Sequence, residues 1–155
     1  MKKACKKYVR EAKEKDLIRI AEIFIFNYRL NFYPIFKNDD FYFSELQSDK
    51  IAESFKQRIH INNIYVYDDG AVKGFIETDK NEIKKLFVEP ILQGNSIGSV
   101  LLNFALENFQ AKFLWALEQN TRAINFYKRH GFVLTNEKEL EECTEEYLVK
   151  LIYKQ

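Results

Sequence analysis

Apolar residues in the first part of the chain recur at the spacing of an amphipathic helix. This pattern predicts one helix over residues 17–32, with Asp16 as its N-cap, and a second helix over residues 43–59. Pro34 and the "KNDD" turn separate the two helices. A short strand is predicted over residues 7–11, so the predicted order opens with one strand and two helices.

The pattern changes to alternation after residue 62, where β-branched and aromatic residues predict three antiparallel strands within residues 63–90. The "DDG" and "TDKN" segments supply the two hairpin turns. The later elements are a strand, turn and helix over 88–109, a buried strand over 112–119, a short helix over 121–130 that ends at Gly131, and two strands within 132–154. The combined order, βααβββαβαββ, predicts an α/β (α+β) fold with a mixed, mostly antiparallel central sheet flanked by helices.

Length and composition indicate a single domain over residues 1–155. A chain of 155 residues that is 46% hydrophobic and 15% aromatic can fill one core. The sequence contains no Ser-, Gly- or Pro-rich linker and no internal repeat. It also lacks the apolar run of a signal peptide or a membrane span, so no membrane partner is expected.

The charge balance argues against a nucleic-acid partner. Lys and Arg total 24 and Asp and Glu total 23, so a net charge of +1 creates no long-range field that attracts anions. Cys5 and Cys143 lie far apart in the sequence, without CxxC spacing or a nearby histidine cluster, so neither a metal site nor a disulfide is expected. A reduced, cytoplasmic protein is the simplest interpretation.

Two of the five glycines, Gly94 and Gly98, fall in one short segment between a predicted strand and the helix that begins near Ile97. Glycine permits left-handed torsions and the close approach of a ligand, and a helix start offers unpaired N–H groups to a phosphate. Simple turn formation explains the two glycines equally well. The segment matches neither a Walker A loop nor a GxGxxG dinucleotide fingerprint.

Two motifs at a suitable separation resemble those of the GNAT superfamily of N-acetyltransferases. The segment "QGNSIGS", residues 93–99, is similar to the Q/RxxGxG/A acetyl-CoA loop of that family. The segment "EQNTRAINFYKRHGF", residues 118–132, matches the pattern N-x-x-A-x-x-F-Y-x-x-x-G-F. Ser96 replaces the first glycine of the loop but presents the same backbone N–H. The resemblance implies the GNAT fold and an N-acetyltransferase activity.

The resemblance also implies acetyl-CoA as the cosubstrate. The loop would hold the pyrophosphate, the free backbone of the fourth strand would pair with the pantetheine arm, and the Asn120 amide would bind the same arm. Asn120 is equally suited to cap the helix that follows it. The implied cofactor-binding residues are Leu86, Phe87, Val88, Gln93, Gly94, Asn95, Ser96, Ile97, Gly98, Ser99 and Asn120.

The resemblance assigns the catalytic roles as well, and it implies no metal. Tyr127 matches the family tyrosine that returns a proton to the departing thiolate, and a backbone N–H, at Val88, would stabilise the oxyanion. Glu82 resembles the position of the general base in some members. Glu77, Glu118 and an ordered water are alternatives for that role, and each carboxylate could instead be a solvated charge at a strand end.

The acceptor is expected to be a primary amine of a small molecule or a peptide, bound near the connection between the first two helices. An aromatic wall there could bind an apolar amine, with Asp39 and Asp40 holding its charge, although such side chains also serve to close a core. His60 and His130 are interpreted as helix caps or surface groups. The wall residues are Tyr28, Phe32, Tyr33, Phe36, Phe41, Tyr42 and Phe43.

Several alternatives remain open in the sequence. The irregular Ser96 and the uncertain base allow a binding or regulatory module that keeps the acyl-CoA fold without turnover. The acyl group could be longer than acetyl. Edge strands near the C-terminus could pair between subunits, so a homodimer is also open.

Overall fold

The computed structural model describes residues 4–155, so the first three residues of the predicted domain lie outside the described part. Its centre is a seven-stranded sheet with the strand order β1-β2-β3-β4-β5-β7-β6. The strands are β1 (Val9–Glu11), β2 (Asn63–Asp68), β3 (Val72–Asp79), β4 (Glu82–Val88), β5 (Phe113–Leu117), β6 (Phe132–Leu140) and β7 (Tyr147–Tyr153).

The sheet is mixed and mostly antiparallel, as the sequence predicts. Among the described strands, β4 and β5 run parallel, and all other neighbouring pairs run antiparallel. Parallel strands need a crossover connection, and the connection between these two strands contains a helix that crosses one face of the sheet.

Helices cover both faces of the sheet. The predicted second helix begins later than expected, because Gln47 is extended and the residues before it form a π-helical turn, Asp40–Glu45. Pro34 lies in the first turn of a short additional helix, where its missing N–H costs no hydrogen bond. The helices are α1 (Leu17–Asn31), α2 (Tyr33–Phe36), α3 (Ser48–Arg58), α4 (Ile97–Asn108) and α5 (Thr121–Arg129).

Two apolar cores result, one on each face, because successive residues of β3 point to opposite sides. Phe75 joins the core under α1 and α3, where its ring lies 5.4 Å from that of Phe55. Ile76 joins the core under α4 and α5, together with Leu101 and Leu102. Within the described residues, no helix combines the length and the apolar character that crossing a membrane requires.

Candidate active site

The parallel strands β4 and β5 separate after a short contact. Their ladder has two residue pairs, Glu82↔Phe113 and Ile83↔Leu114, and β5 does not follow the rest of β4. The other edge of β4 is paired with β3 as far as Val88. The sheet therefore has an opening beside the second half of β4, where backbone groups of β4 face no neighbouring strand.

The register of β4 shows which backbone groups face that opening. The N–H of Glu89 donates to the carbonyl oxygen of Lys73 at 2.8 Å, which marks a hydrogen-bonded position of the β3–β4 ladder. Alternate residues of an antiparallel strand direct their N–H and C=O groups away from that partner. Leu86 and Val88 therefore direct theirs into the opening, whereas the backbone of Phe87 is engaged with β3.

The turn before α4 has the left-handed torsions that its glycine content predicts, although not at both glycines. Gly94 has φ 85° and Ser96, the N-cap of α4, has φ 67°. Gly98 does not use the left-handed region that glycine permits, because it lies inside α4. A Cβ at Gly98 would lie 3.5 Å from the Phe126 ring and 3.7 Å from the Val88 side chain, which is ordinary van der Waals contact.

A cleft of about 360 Å³ joins this turn, the end of β4 and the start of α5. Most of the predicted cofactor-binding residues line it, namely Leu86, Phe87, Val88, Gln93, Gly94, Ser96, Ile97, Gly98, Ser99 and Asn120. Asn95 does not line it, because its side-chain amide turns back and donates to the carbonyl oxygen of Leu92 at 2.9 Å. The cleft thus brings two distant sequence motifs to one side of the opening in the sheet.

Asn120 can serve both roles predicted from the sequence, as a helix cap and as a ligand-binding residue. Its side-chain oxygen accepts a hydrogen bond from the N–H of Ala123 at 3.3 Å and so caps α5. The amide nitrogen of the same side chain makes no hydrogen bond to a described residue, and Asn120 lines the cleft. Both roles predicted from the sequence are therefore compatible with one rotamer.

A buried amide network, absent from the sequence predictions, fixes the end of β4. Asn27 of α1 is only 1% exposed, and its amide nitrogen donates to the carbonyl oxygen of Val88 at 2.9 Å. Gln93 donates to the side-chain oxygen of Asn27 at 3.0 Å and to the same Val88 carbonyl at 3.3 Å. The Val88 carbonyl is therefore occupied, and its N–H is the group left for a ligand. In the sequence, the feature that could have indicated this network is Asn27, a polar residue on the apolar face of the predicted first helix.

His130 and two arginines also contribute to the cleft, and the sequence reasoning missed them. His130 is the C-cap of α5, which agrees with its interpretation as a helix cap, and its side chain also joins α5 to α4. Its Nδ1 lies 2.8 Å from the carbonyl oxygen of Phe126, and its Nε2 lies 2.9 Å from Ser99 Oγ. Since a carbonyl only accepts, Nδ1 carries a proton. Arg122 and Arg129 line the cleft without an ion pair to any described residue.

A larger groove of about 1150 Å³ meets the cleft at Tyr127 and at the exposed half of β4. One of its sides carries Tyr28, Phe32, Phe36, Phe41 and Tyr42, which are five of the seven predicted wall residues. The same rings pack on the core beneath them, so the alternative interpretation of these aromatic residues holds as well.

Asp39 and Asp40 do not line this groove, contrary to the sequence-based expectation. Asp39 accepts a hydrogen bond from the Tyr33 hydroxyl at 2.6 Å and lies on the exposed side of the connection. Most acidic residues of the groove come from the segment between β6 and β7 instead. That segment is distant in the sequence, so local spacing could not reveal it.

Tyr127 forms the boundary between the cleft and the groove. It lines both spaces, is 8% exposed, and packs edge-on against Phe126 and Phe132. Its hydroxyl makes no hydrogen bond to a described residue. Burial raises the pKa of Tyr127 above the ordinary value for tyrosine. The phenol is therefore protonated at neutral pH and can act as a proton donor.

The three candidate carboxylates occupy different environments. Glu82 lines the groove, and its carboxylate lies 3.5 Å from the Lys84 ammonium. Glu77 is 1% exposed, bonded to Arg58, and lines neither space. Glu118 is half-exposed, pairs with Lys138 at 2.6 Å, and also lines neither space. Within residues 4–155, no cluster of His, Cys, Asp or Glu side chains could hold a metal ion.

Replacing Ser96 by glycine is expected to stabilise the protein by about 0.5–1 kcal/mol, because glycine adopts φ 67° without the steric cost of a Cβ. The midpoint of urea unfolding measures this change. The matched control is Ser48→Gly, since Ser48 has helical torsions in the first turn of α3 and should lose stability. A loss of stability in Ser96→Gly would contradict the expectation.

The opening between β4 and β5, bordered by a glycine-containing turn at a helix start, is the arrangement that the GNAT resemblance implies. A family model described as an acetyltransferase (GNAT) domain matches residues 60–134, which include both motifs. The predicted resemblance to the GNAT superfamily is confirmed.

Relatives and solved structures agree with this match. Peptidyl-lysine N-acetyltransferase YjaB of Salmonella typhimurium is 33% identical over 91 residues, which are 58% of this chain and 63% of the relative. The Escherichia coli protein of that name is 32% identical over 81 residues, which are 52% of this chain and 55% of the relative. The chain therefore matches little more than half the length of these curated relatives.

The fold comparison covers almost the whole chain. The solution structure of apo YjaB from Escherichia coli has a TM-score of 0.71 at 21% identity, over 94% of this chain and 95% of that one. The PaiA N-acetyltransferase of Thermoplasma acidophilum, solved in complex with coenzyme A, has a TM-score of 0.69 at 18% identity, over 94% and 98%. The predicted fold class is confirmed by these structures.

Proposed function

We propose that this protein is an acetyl-CoA-dependent N-acetyltransferase that moves an acetyl group to a primary amine in a ternary complex. The observation that carries the proposal is the position of Tyr127, a buried and protonated phenol between two spaces that meet at the free edge of β4. One space suits the acyl donor and the other suits the acceptor.

The donor would occupy the cleft. The N–H groups of the turn from Gly94 to Ser99 and the start of α4 would bind the pyrophosphate, with Arg122 and Arg129 near its charge. The pantetheine arm would bond to the free backbone of Leu86 and to the Asn120 amide, as an added strand does, while the Val88 N–H stays available for the acyl oxygen. The PaiA relative in its complex with coenzyme A supports this choice of donor.

The reaction needs a neutral amine, a stabilised oxyanion and a proton for the leaving thiolate. Glu82, directly or through water, would remove a proton from the ammonium group of the acceptor. The amine nitrogen would then attack the thioester carbon, and the Val88 N–H would bond to the oxyanion. As the C–S bond breaks, the Tyr127 hydroxyl would protonate the sulfur and release free CoA. The nitrogen, which still carries an extra proton, would return a proton to the Tyr127 phenolate directly or through water, and the acetamide results. The proton held by Glu82 would pass to solvent.

The acceptor would be an amine of a peptide or a small molecule. The YjaB relatives are named peptidyl-lysine N-acetyltransferases, and the large groove gives room for a lysine side chain. Neither a nucleic acid nor a membrane is part of the proposal. The cytoplasmic location and the homodimer stay predictions.

The proposal is tested by incubating the purified protein with acetyl-CoA and a panel of primary amines. CoA release that depends on the amine, with an acetylated product in mass spectrometry, is the expected result. Binding of acetyl-CoA in calorimetry without turnover of any amine would favour the non-catalytic alternative. Faster transfer from propionyl-CoA than from acetyl-CoA would show that the acyl group is longer.

Replacing Glu82 by glutamine is expected to lower kcat/KM about 10²-fold at neutral pH, because the amide cannot accept the proton of the ammonium group. The loss should shrink as the pH approaches the amine pKa of about 10.4, where the acceptor is neutral without help. A pH–rate profile measures both effects. Glu118→Gln is the control, and a defect in Glu118→Gln with normal Glu82→Gln would reverse the assignment.

A further inference from the structure

The groove beside Tyr127 is lined by acidic residues in addition to its aromatic wall. The acidic residues come from β4 and from the end of β6 with the segment that follows it, and the basic residues of the groove are Lys84 and Lys85. An excess of negative charge in a concave space attracts cations. The acidic lining residues are Glu82, Glu139, Glu141, Glu142, Glu145 and Glu146.

Most of this negative charge is not neutralised by the protein. Glu82 lies near Lys84, and Glu146 accepts a hydrogen bond from the Gln119 side chain at 2.6 Å. The remaining glutamates of the groove form no ion pair within residues 4–155. A ligand with positive charge would therefore meet carboxylates that are free to bind it.

Glu141 lines the groove together with Tyr28 and Tyr42 of the aromatic wall. Burial and then the negative charge of Glu141 raise the pKa of Tyr28, to about 12, and the same two causes raise the pKa of Tyr42. The Glu141 charge therefore acts on two of the wall residues that line the same groove. The Glu141 backbone is held separately, because its N–H donates to the Glu146 carbonyl and its own carbonyl accepts from Thr144.

Aromatic faces attract ammonium and guanidinium groups, and a carboxylate that lines the same space adds the attraction of opposite charges. The reacting amine has a different place, beside Tyr127, whose hydroxyl has no partner among the described residues. We propose that the acceptor carries a second cationic group in addition to the amine that is acetylated, and that Glu141 with Tyr28 and Tyr42 binds this group. The inference rests on the proposed acetyltransferase function, and it defines the substrate class more narrowly.

Matched acceptors test the inference directly. Pentylamine and 1,5-diaminopentane have the same chain length but carry one and two charges. A short lysine peptide with a neighbouring arginine is compared with the same peptide carrying citrulline. The doubly charged member is expected to have a kcat/KM about tenfold higher in at least one pair. The pair that shows the effect distinguishes a small diamine from a basic peptide.

Glu141→Gln is the decisive variant, because the exchange preserves shape and leaves the backbone hydrogen bonds of the segment in place. It should remove most of the preference for the doubly charged acceptor while leaving kcat/KM for pentylamine unchanged. Glu53→Gln is the matched control, since Glu53 is exposed on α3, does not line the groove, and forms no ion pair with a described residue.

The possible outcomes separate the two proposals. Turnover of amines without any preference for a second charge overturns the inference and leaves the proposed function intact. A preference that survives in Glu141→Gln also overturns it. Absence of turnover with every amine overturns the proposed function, and the inference fails with it. A preference lost in Glu141→Gln and kept in Glu53→Gln supports both.

Discussion

Replacing Tyr127 by phenylalanine is expected to lower kcat about 10³-fold, because the leaving thiolate loses its proton donor. The KM for acetyl-CoA should change little, since the phenyl ring keeps the packing against Phe126 and Phe132. Burial and a raised pKa keep the wild-type phenol protonated throughout the neutral range. Steady-state kinetics with acetyl-CoA and the best amine of the panel measure both constants.

The control for this variant is Tyr65→Phe, a tyrosine on β2 whose hydroxyl makes no hydrogen bond to a described residue. It should retain the wild-type kcat. An unchanged kcat in Tyr127→Phe, with acetyl-CoA bound normally, would show that another group or water protonates the sulfur. A rise in KM alone would assign Tyr127 to donor binding.

Replacing Glu77 by glutamine is expected to lower the free energy of unfolding by about 3 kcal/mol at pH 7, because it leaves two partly buried cations without their carboxylate. Arg58 donates to Glu77 at 2.6 Å, and the Lys85 ammonium lies 3.7 Å from the same side chain. Asn62 adds a hydrogen bond at 3.0 Å. Urea unfolding of the variant and the wild type measures the difference.

The pH dependence of this difference has a definite sign. Burial alone would raise the pKa of Glu77, but the bond from Arg58, the charge of Lys85 and the bond from Asn62 outweigh burial and lower it below 4.5. The unfolded chain therefore binds the proton first as the pH falls. The stabilisation is complete above about pH 4.5 and is lost as the pH falls through the lower value of the folded protein.

The expected observation is that wild type and Glu77→Gln converge in stability as the pH is lowered from 7 toward 3. Glu118→Gln is the control, because its ion pair with Lys138 is exposed and should contribute less than about 1 kcal/mol. A difference between wild type and Glu77→Gln that is constant over this pH range would show that packing, and not charge, holds this position.

The sequence was sufficient to predict structural features that depend on residues close together along the chain. Helical spacing and alternation predicted the order of elements and the mixed sheet, because these periods reflect burial of one face. The two motifs brought Ser99 and Asn120 into one predicted site, and both line the cleft. Gly98 lies inside α4, as the predicted helix start near Ile97 implies.

Features that form only when segments distant in the sequence come into contact could not be predicted from the sequence. Asn27 looked like one polar residue in an apolar helix, and its role appears only when α1 lies over the end of β4. The acidic lining of the groove is a similar case, because Glu141 comes to line the same space as Tyr28 only through the folding of the sheet. Asp39 and Asp40 were assigned to the groove by proximity in sequence, and the backbone turns them away from it.

Because the ladder between β4 and β5 is short, the sheet consists of two half-sheets joined by a narrow seam, the two residue pairs Glu82↔Phe113 and Ile83↔Leu114. One half contains β1 to β4, the other contains β5 to β7, and two residue pairs connect them directly. A ligand that bonds to the backbone of Leu86 and Val88 would supply hydrogen bonds that β5 does not make to this part of β4, and so would make the sheet continuous. The acyl donor would then be a structural component of the protein during each catalytic cycle, and its departure would reopen the seam.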